Sequence, residues 1–307
     1  MRVQGLYVPL LTPFTADGSL DVAAVRPHVD RLLDGGVDGF VALGTTGEFA
    51  DLTAAERAAV VEATIAAVDG RAPVLVGVGA VGTAAACGHA RHAREAGAAG
   101  ILALPPLYWK LGDAGLVRHF GAVAEAAGIP TLLYDYPALS GTPLSPALVE
   151  KVARQVPTVV GIKQSGPALR TVHGVLSRVR QQRPEFAVMV GAAELLAPAM
   201  AAGADGGIIA LGNLAPRPLA ELVAALRDGD LPAAAACHTE VLRLLAIPAL
   251  SSPSILALKV AAAVAGSPME PVVRTRPEDP DRVITEAADL AGRLLTPAGR
   301  APAAAGS

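Results

Sequence analysis

Eight short apolar runs, spaced almost evenly between Ala-rich stretches that read as helices, constrain this chain more than any other feature. They cover residues 6–10, 39–43, 73–78, 100–104, 130–134, 158–162, 186–190 and 206–210. Each run is continuous and does not alternate with polar residues, so each strand is expected to be buried on both faces, as parallel strands covered by crossover helices are. The stretch between successive runs is long enough for one helix. Eight such units predict an α/β fold, a (β/α)8 TIM barrel, over residues 1–215. Beyond 215 the strand pattern stops. Helical stretches at 216–228, 231–246, 253–265 and 280–294 predict a C-terminal helical extension, residues 216–295, packed on the barrel. Residues 296–307, built from Pro, Ala and Gly with little to bury, are expected to be disordered. Local signals agree with the helices: Thr53 and Glu56 have the spacing of a capping box, and Gly35 and Gly97 mark helix ends.

Composition narrows the class. With 307 residues, 52% of them hydrophobic, the chain has enough apolar surface for one large core. A net charge of −3 leaves no basic footprint for nucleic acid, and four lysines make no cationic belt for a lipid surface. No uninterrupted apolar run reaches the roughly 18 to 20 residues that a membrane span needs. The first residues, with one Arg and then Pro9 and Pro13, read as mature cytoplasmic sequence. Cys87 and Cys237 lie far apart in Ala-rich helical stretches and are expected to be small packed thiols with no disulfide. The partners expected are small molecules.

In a barrel of this kind the active site lies at the carboxyl ends of the strands. The reactive side chains there are few: Thr45 and Thr46 after the second run, Tyr108 and Lys110 after the fourth, Tyr134 ending the fifth, Lys163 after the sixth and Glu194 after the seventh. Of the lysines 110, 151, 163 and 259, only Lys163 directly follows a strand-like run. A lysine attacks a carbonyl only as the neutral amine, which at a pKa of about 10.4 is a few parts in ten thousand at pH 7. Burial at an apolar barrel mouth is the usual remedy, because desolvation disfavours the ammonium. The bland alternative is a snorkelling lysine at a strand end. In the turn from Gly44 to Glu48, two glycines let hydroxyl and N–H groups converge, which suits a carboxylate. Tyr134 is either a proton relay or a packed ring. Metal chemistry is poorly served: His89 and His92 fall mid-helix on the outside, and His119, His173 and His238 stand apart in helical runs. With no phosphate-binding or dinucleotide-binding glycine motif, neither a cofactor nor a metal is expected.

Taken together, Leu11 to Phe14, Gly44 to Glu48 followed by Leu52, Thr53 and Glu56, Pro105 to Tyr108 with His119 and Phe120, Tyr134 to Pro137 followed by Gly141, and Gly161 to Lys163 resemble one family over residues 5–295. It is the dihydrodipicolinate synthase and N-acetylneuraminate lyase family of pyruvate-dependent, Schiff-base (class I) aldolases. The resemblance implies that Lys163 forms an imine with pyruvate and that Thr45 and Thr46 hold its carboxylate. It implies that Tyr134 shuttles protons together with Thr45 and with Tyr108 of a neighbouring subunit. Gly47, Leu139, Ser165, Gly191, Glu194 and Ile208 are the further substrate-binding positions. It also implies a homotetramer, a dimer of dimers, that joins or cleaves a carbon–carbon bond between pyruvate and an aldehyde.

Departures from the family pattern bear on the substrate. Synthase members carry an arginine where this chain has Leu139, so a carboxylate on the aldehyde would lose a charge-assisted partner. The segments 134–141 and 163–165 look more like sialic acid lyases, yet Ala193 and Ala210 stand where those enzymes grip a sugar chain. The expectation is therefore a 2-oxo-4-hydroxy acid with a shorter or less hydroxylated aldehyde part than sialic acid. The alternatives are 4-hydroxy-tetrahydrodipicolinate synthase, a keto-deoxy sugar acid dehydratase and, in another class, a non-catalytic 2-oxo acid binding protein. The fold does not separate them.

Overall fold

A computed structural model describes residues 2–295, so the expectation for 296–307 lies outside the described residues. Strands β1 (Gly5–Pro9), β2 (Gly39–Ala42), β3 (Val74–Gly77), β4 (Gly100–Ala103), β5 (Thr131–Asp135), β6 (Val159–Gln164), β7 (Ala187–Val190) and β8 (Gly206–Ile208) close into a barrel in sequence order. All neighbours are parallel, and β1 pairs with β8. Every strand residue except Val160 is buried, which is why the runs carry no polar alternation.

Helices α1 (Val25–Asp34), α2 (Ala54–Val68), α3 (Thr83–Glu95) and α4 (Asp113–Ala127) follow the first four strands. The short α5 (Pro137–Ser140) and α6 (Pro146–Gln155) follow β5, with α7 (Leu169–Val179) after β6 and α8 (Leu196–Ala201) after β7. Beyond β8 come α9 (Pro216–Asp228), α10 (Leu231–Leu244), α11 (Ile255–Val264) and α12 (Pro280–Leu295). Helix α9 packs against β1 and α8, so the stretch at 216–228 stands in the eighth helical position of the ring. Helix α10 in turn lies along α9, and α12 along α11. The stretch Leu231–Leu250 is long and apolar enough, by length and composition, to cross a membrane, although Glu240 and Arg243 interrupt it.

The capping box at α2 is complete: Thr53 accepts from the Glu56 N–H and Glu56 accepts from the Thr53 N–H. At the end of α3, Gly97 takes the left-handed backbone, whereas after α1 that conformation falls on Gly36, one residue beyond Gly35. Gly206, with φ 151°, lies where β8 closes against β1, and a Cβ there would run into the backbone of Gly5.

A buried polar chain locks the mouth end of that seam. Asn213 donates to the carbonyls of Pro9 (2.8 Å) and Ala210 (2.9 Å) and accepts from the Leu11 N–H (3.2 Å). Its Oδ1 also lies 3.0 Å from His28 Nε2, which must therefore carry the proton. His28 Nδ1 then accepts from the Ser267 hydroxyl (2.8 Å), which accepts from Arg31 Nε (2.9 Å). Fully satisfied, the chain ties α1, β1, the turn after β8 and the loop after α11. Burial pushes His28 down to about 4, with the Asn213 bond opposing and Arg31 assisting.

A folded-state value below that of the unfolded imidazole means that the unfolded chain takes up a proton first as pH falls. We predict a loss of about 3 kcal/mol between pH 6.5 and 4, none of it recovered below pH 4. Urea midpoints across that range should fall more steeply for the native protein than for His28→Gln. Parallel profiles would refute the assignment.

Candidate active site

Side chains at the carboxyl ends of the strands line a cavity of about 710 Å³. Lys163 and Tyr134 sit directly opposite one another in the β5–β6 register, so both project from the same face into the mouth. Lys163 Nζ is 3.4 Å from the Tyr134 hydroxyl and 4.4 Å from its ring centroid. Both side chains are buried, and no carboxylate among the described residues is paired with Lys163. Burial alone takes the ammonium down to about 7, where a substantial fraction of the amine is neutral at physiological pH. Tyr134 is pushed up by burial and drawn back by hydrogen bonds with Thr45 and Ser165, so its phenol stays protonated and can donate. The Thr45 hydroxyl lies 3.3 Å from it.

Thr45 and Thr46 ride on a tight turn that follows β2. Gly47, within that turn, is held by the Thr12 hydroxyl donating to its carbonyl (2.7 Å), and a Cβ on it would press on the Leu10 carbonyl. Gly47 is buried beneath the turn, while the two threonines line the cavity. The residue that closes the turn, Glu48, holds a left-handed backbone (φ 54°) that a side-chain-bearing residue adopts only when its surroundings enforce it. Gly191, just after β7, is where the side chains of Ser165 and Lys163 pass. A Cβ there would overlap Ser165 Oγ and come within 3.0 Å of Lys163 Cε, so a glycine at this position leaves both side chains room to reach the cavity.

Of the residues singled out from the sequence, Thr45, Thr46, Tyr134, Leu139, Lys163, Ser165, Gly191, Glu194 and Ile208 meet around this cavity. Tyr108 does not. It is 71% exposed on the loop after β4, its ring edge-on to that of Trp109. Lys110 on the same loop donates to the Ser140 carbonyl and so ties the loop to α5. His92 contacts Glu62 at 3.1 Å, whereas His119 is buried against Thr83 and the Leu104 carbonyl.

Sequence reasoning missed part of the lining. Tyr136 lines the cavity, two positions after Tyr134 and thus on the same face of the chain, a spacing that was available as a signal. Ser251, Ser252, Ser254 and Leu258 arrive from the extension. Nothing local marks them, because only the return of the chain over the barrel brings them there.

Comparison with known proteins agrees with this geometry. Residues 2–280 match the model of the dihydrodipicolinate synthetase family. YagE of Escherichia coli K12, provisionally named a 2-dehydro-3-deoxy-D-gluconate aldolase, is 37% identical over 86% of this chain and 88% of its own. YjhH of the same organism, provisionally a 2-dehydro-3-deoxy-D-pentonate aldolase, is 36% identical over 92% and 95%. The 4-hydroxy-tetrahydrodipicolinate synthase of Salinibacter ruber is 37% identical over 79% of each chain. The crystal structure of YagE in complex with pyruvate superposes with a TM-score of 0.91 at 35% identity, covering 95% of this chain and 98% of that one. With a closed eight-stranded barrel, a buried strand-end lysine and these relatives, the chain belongs to the dihydrodipicolinate synthetase family.

Proposed function

We propose that the protein is a lyase of the class I aldolase type, in which Lys163 forms an imine with pyruvate and a carbon–carbon bond to an aldehyde is broken or made. The observation that carries this reading is a lysine buried with no counter-charge among the described residues, 3.4 Å from a buried tyrosine hydroxyl, at a barrel mouth. Neutral Nζ attacks the 2-oxo carbon, water leaves, and the resulting iminium is an electron sink adjacent to the substrate's C3. In the cleavage direction the Tyr134 phenolate, left when its proton goes out with the departing water, takes the proton of the 4-hydroxyl, the C3–C4 electron pair moves into the iminium, and the aldehyde departs. The enamine is then protonated at C3, and hydrolysis returns pyruvate and the free amine. Thr45 and Thr46 supply hydroxyl and backbone donors to the substrate carboxylate, with the Gly47 turn beneath them.

The remaining lining supports a choice of aldehyde. Among the residues around the cavity, only Lys163 and Glu194 carry formal charge. Among the described residues no cation of the lining awaits a second carboxylate, since the position that would supply one is Leu139, 61% exposed at the rim. Glu194, Ser165 and the three serines of the extension are instead suited to hydroxyl groups. The substrate we infer is a 2-oxo-3-deoxy-4-hydroxy acid whose aldehyde part is short, hydroxylated and uncharged, in keeping with the sugar acids in the names of YagE and YjhH. This favours aldol chemistry over the synthase reaction of other relatives.

The same reading makes the active assembly a homotetramer of paired dimers, in which exposed Tyr108 serves the site of a neighbouring subunit. It also places the enzyme in the cytoplasm, a reducing compartment consistent with the free thiols of Cys87 and Cys237.

Borohydride added with pyruvate should leave a reduced adduct on Lys163, identified by intact mass and peptide mapping. The initial trapping rate should rise roughly tenfold per pH unit below pH 7 and flatten above it. Absence of an adduct at Lys163 would refute the imine assignment. Tyr134→Phe should lower kcat by about 10² or more while pyruvate still traps. Tyr108→Phe should also slow turnover, and light scattering should return the mass of four chains; a fully active monomer would exclude the shared-tyrosine assembly. In a substrate panel, short hydroxyaldehydes should outpace aspartate semialdehyde in kcat/KM by at least about 10². The reverse order would overturn the pocket assignment.

A further inference from the structure

A second buried lysine lies outside the chemistry described so far. Lys259, on α11, is fully buried, and its Nζ is 2.7 Å from Glu48 Oε1, itself buried. Lys259 also donates to the Val272 carbonyl (2.6 Å) and lies over the Phe14 ring at 4.2 Å. The other carboxylate oxygen of Glu48 accepts from the Arg274 N–H (2.9 Å). The Arg274 guanidinium packs over the same Phe14 ring at 4.7 Å and binds Glu56 and the Asp51 carbonyl. Thr275 reaches the Asp51 carboxylate (2.9 Å). The segment from Glu48 to Glu56 is thus clamped to residues 272–275 and to α11.

Glu48 is also the left-handed residue that ends the Thr45–Gly47 turn, its N–H donating to the Thr45 carbonyl (3.1 Å). A buried ion pair is a poor device for stability, because desolvating two charges offsets most of their attraction. It is a good device for fixing geometry, because only one placement of the two groups satisfies both. We propose that Glu48 and Lys259 are positioning residues: the buried pair anchors the Thr45–Thr46 carboxylate cradle to the C-terminal extension and sets its affinity for the 2-oxo acid. Neither group touches the cavity, so the pair acts through the turn it holds.

This inference rests on the reading that Thr45 and Thr46 hold the substrate carboxylate. The first arm needs no variant. By linkage, a ligand that is bound by the cradle must in turn stabilise what holds the cradle. Saturating pyruvate should therefore slow hydrogen exchange in residues 45–48 and 272–275 together, with α12 unaffected; protection confined to the mouth would overturn the proposal. The second arm compares Glu48→Gln with the neutral pair Glu48→Gln/Lys259→Met. Glu48→Gln should raise the pyruvate concentration for half-maximal borohydride trapping by tenfold or more, with the trapping rate at saturation within about threefold of native. The double variant should regain thermal stability but keep the weakened affinity. A merely structural pair predicts otherwise: affinity and Tm would recover together, or a folded variant would bind pyruvate normally, and either result overturns the proposal. Trapping by the native protein separates the two readings. No adduct at Lys163 removes the functional reading itself, whereas a normal native adduct with unchanged variant affinity removes only the positioning role.

Discussion

An amine buried with no counter-charge among the described residues is the constraint around which the rest of this molecule is arranged. Withdrawing an ammonium from water costs several kcal/mol, and a lysine answers by losing its proton. Lys163 is placed where that answer is useful, at a closed barrel mouth whose walls are Ile208, Ile209, Leu211 and the aromatic face of Tyr134. Each requirement falls on a different element. The β5–β6 register sets Tyr134 against it, Gly191 leaves the passage for its methylene chain, and the closed barrel removes the sheet edge through which water would reach it.

Lys259 shows the opposite solution in the same chain. It is at least as buried, and burial pulls its ammonium down as well, but Glu48 opposes that pull. One lysine is thereby suited to nucleophilic attack and the other to holding a carboxylate in place. Position relative to a strand-like run separates the two in sequence only because strand ends open into the mouth, whereas Lys259 lies within a helix, α11.

The barrel was legible because parallel strands buried on both faces leave a plain trace, eight unbroken apolar runs, and the structure closes them in order. Helix ends were legible where backbone chemistry is local, as in the Thr53–Glu56 box. What periodicity does not carry is the identity of a helix's neighbour. The stretch at 216–228 reads as the start of an extension, yet it packs on β1 in the ring, because an amphipathic stripe records that a face is covered and not by what. The same limit applies at the site. Lys163, Tyr134 and the threonine turn sit on or beside strands and could be read from strand ends. Ser251, Ser252, Ser254 and Leu258 come from a segment more than eighty residues away from Lys163 along the chain, and only tertiary folding places them at the cavity.

That division also explains why reaction and substrate differ in legibility. The groups proposed to handle the 2-oxo acid stand on the barrel's rigid strands and the turn beside β2, so their spacing survives in sequence as motifs. The groups proposed to face the aldehyde stand on α5, on the turn after β7 and on the extension, where substitutions change a pocket without disturbing the barrel. The extension is not free of the first half, however. Residues 251–255 and Leu258 line the cavity, while Lys259 and residues 272–275 grip the turn that carries Thr45 and Thr46. Leu258 and Lys259 are adjacent on α11, one facing the cavity and the other the buried carboxylate. A change of aldehyde specificity made through this helix must therefore keep Lys259 in place, and the serine-bearing loop that precedes α11 is the part of the extension left most open to variation.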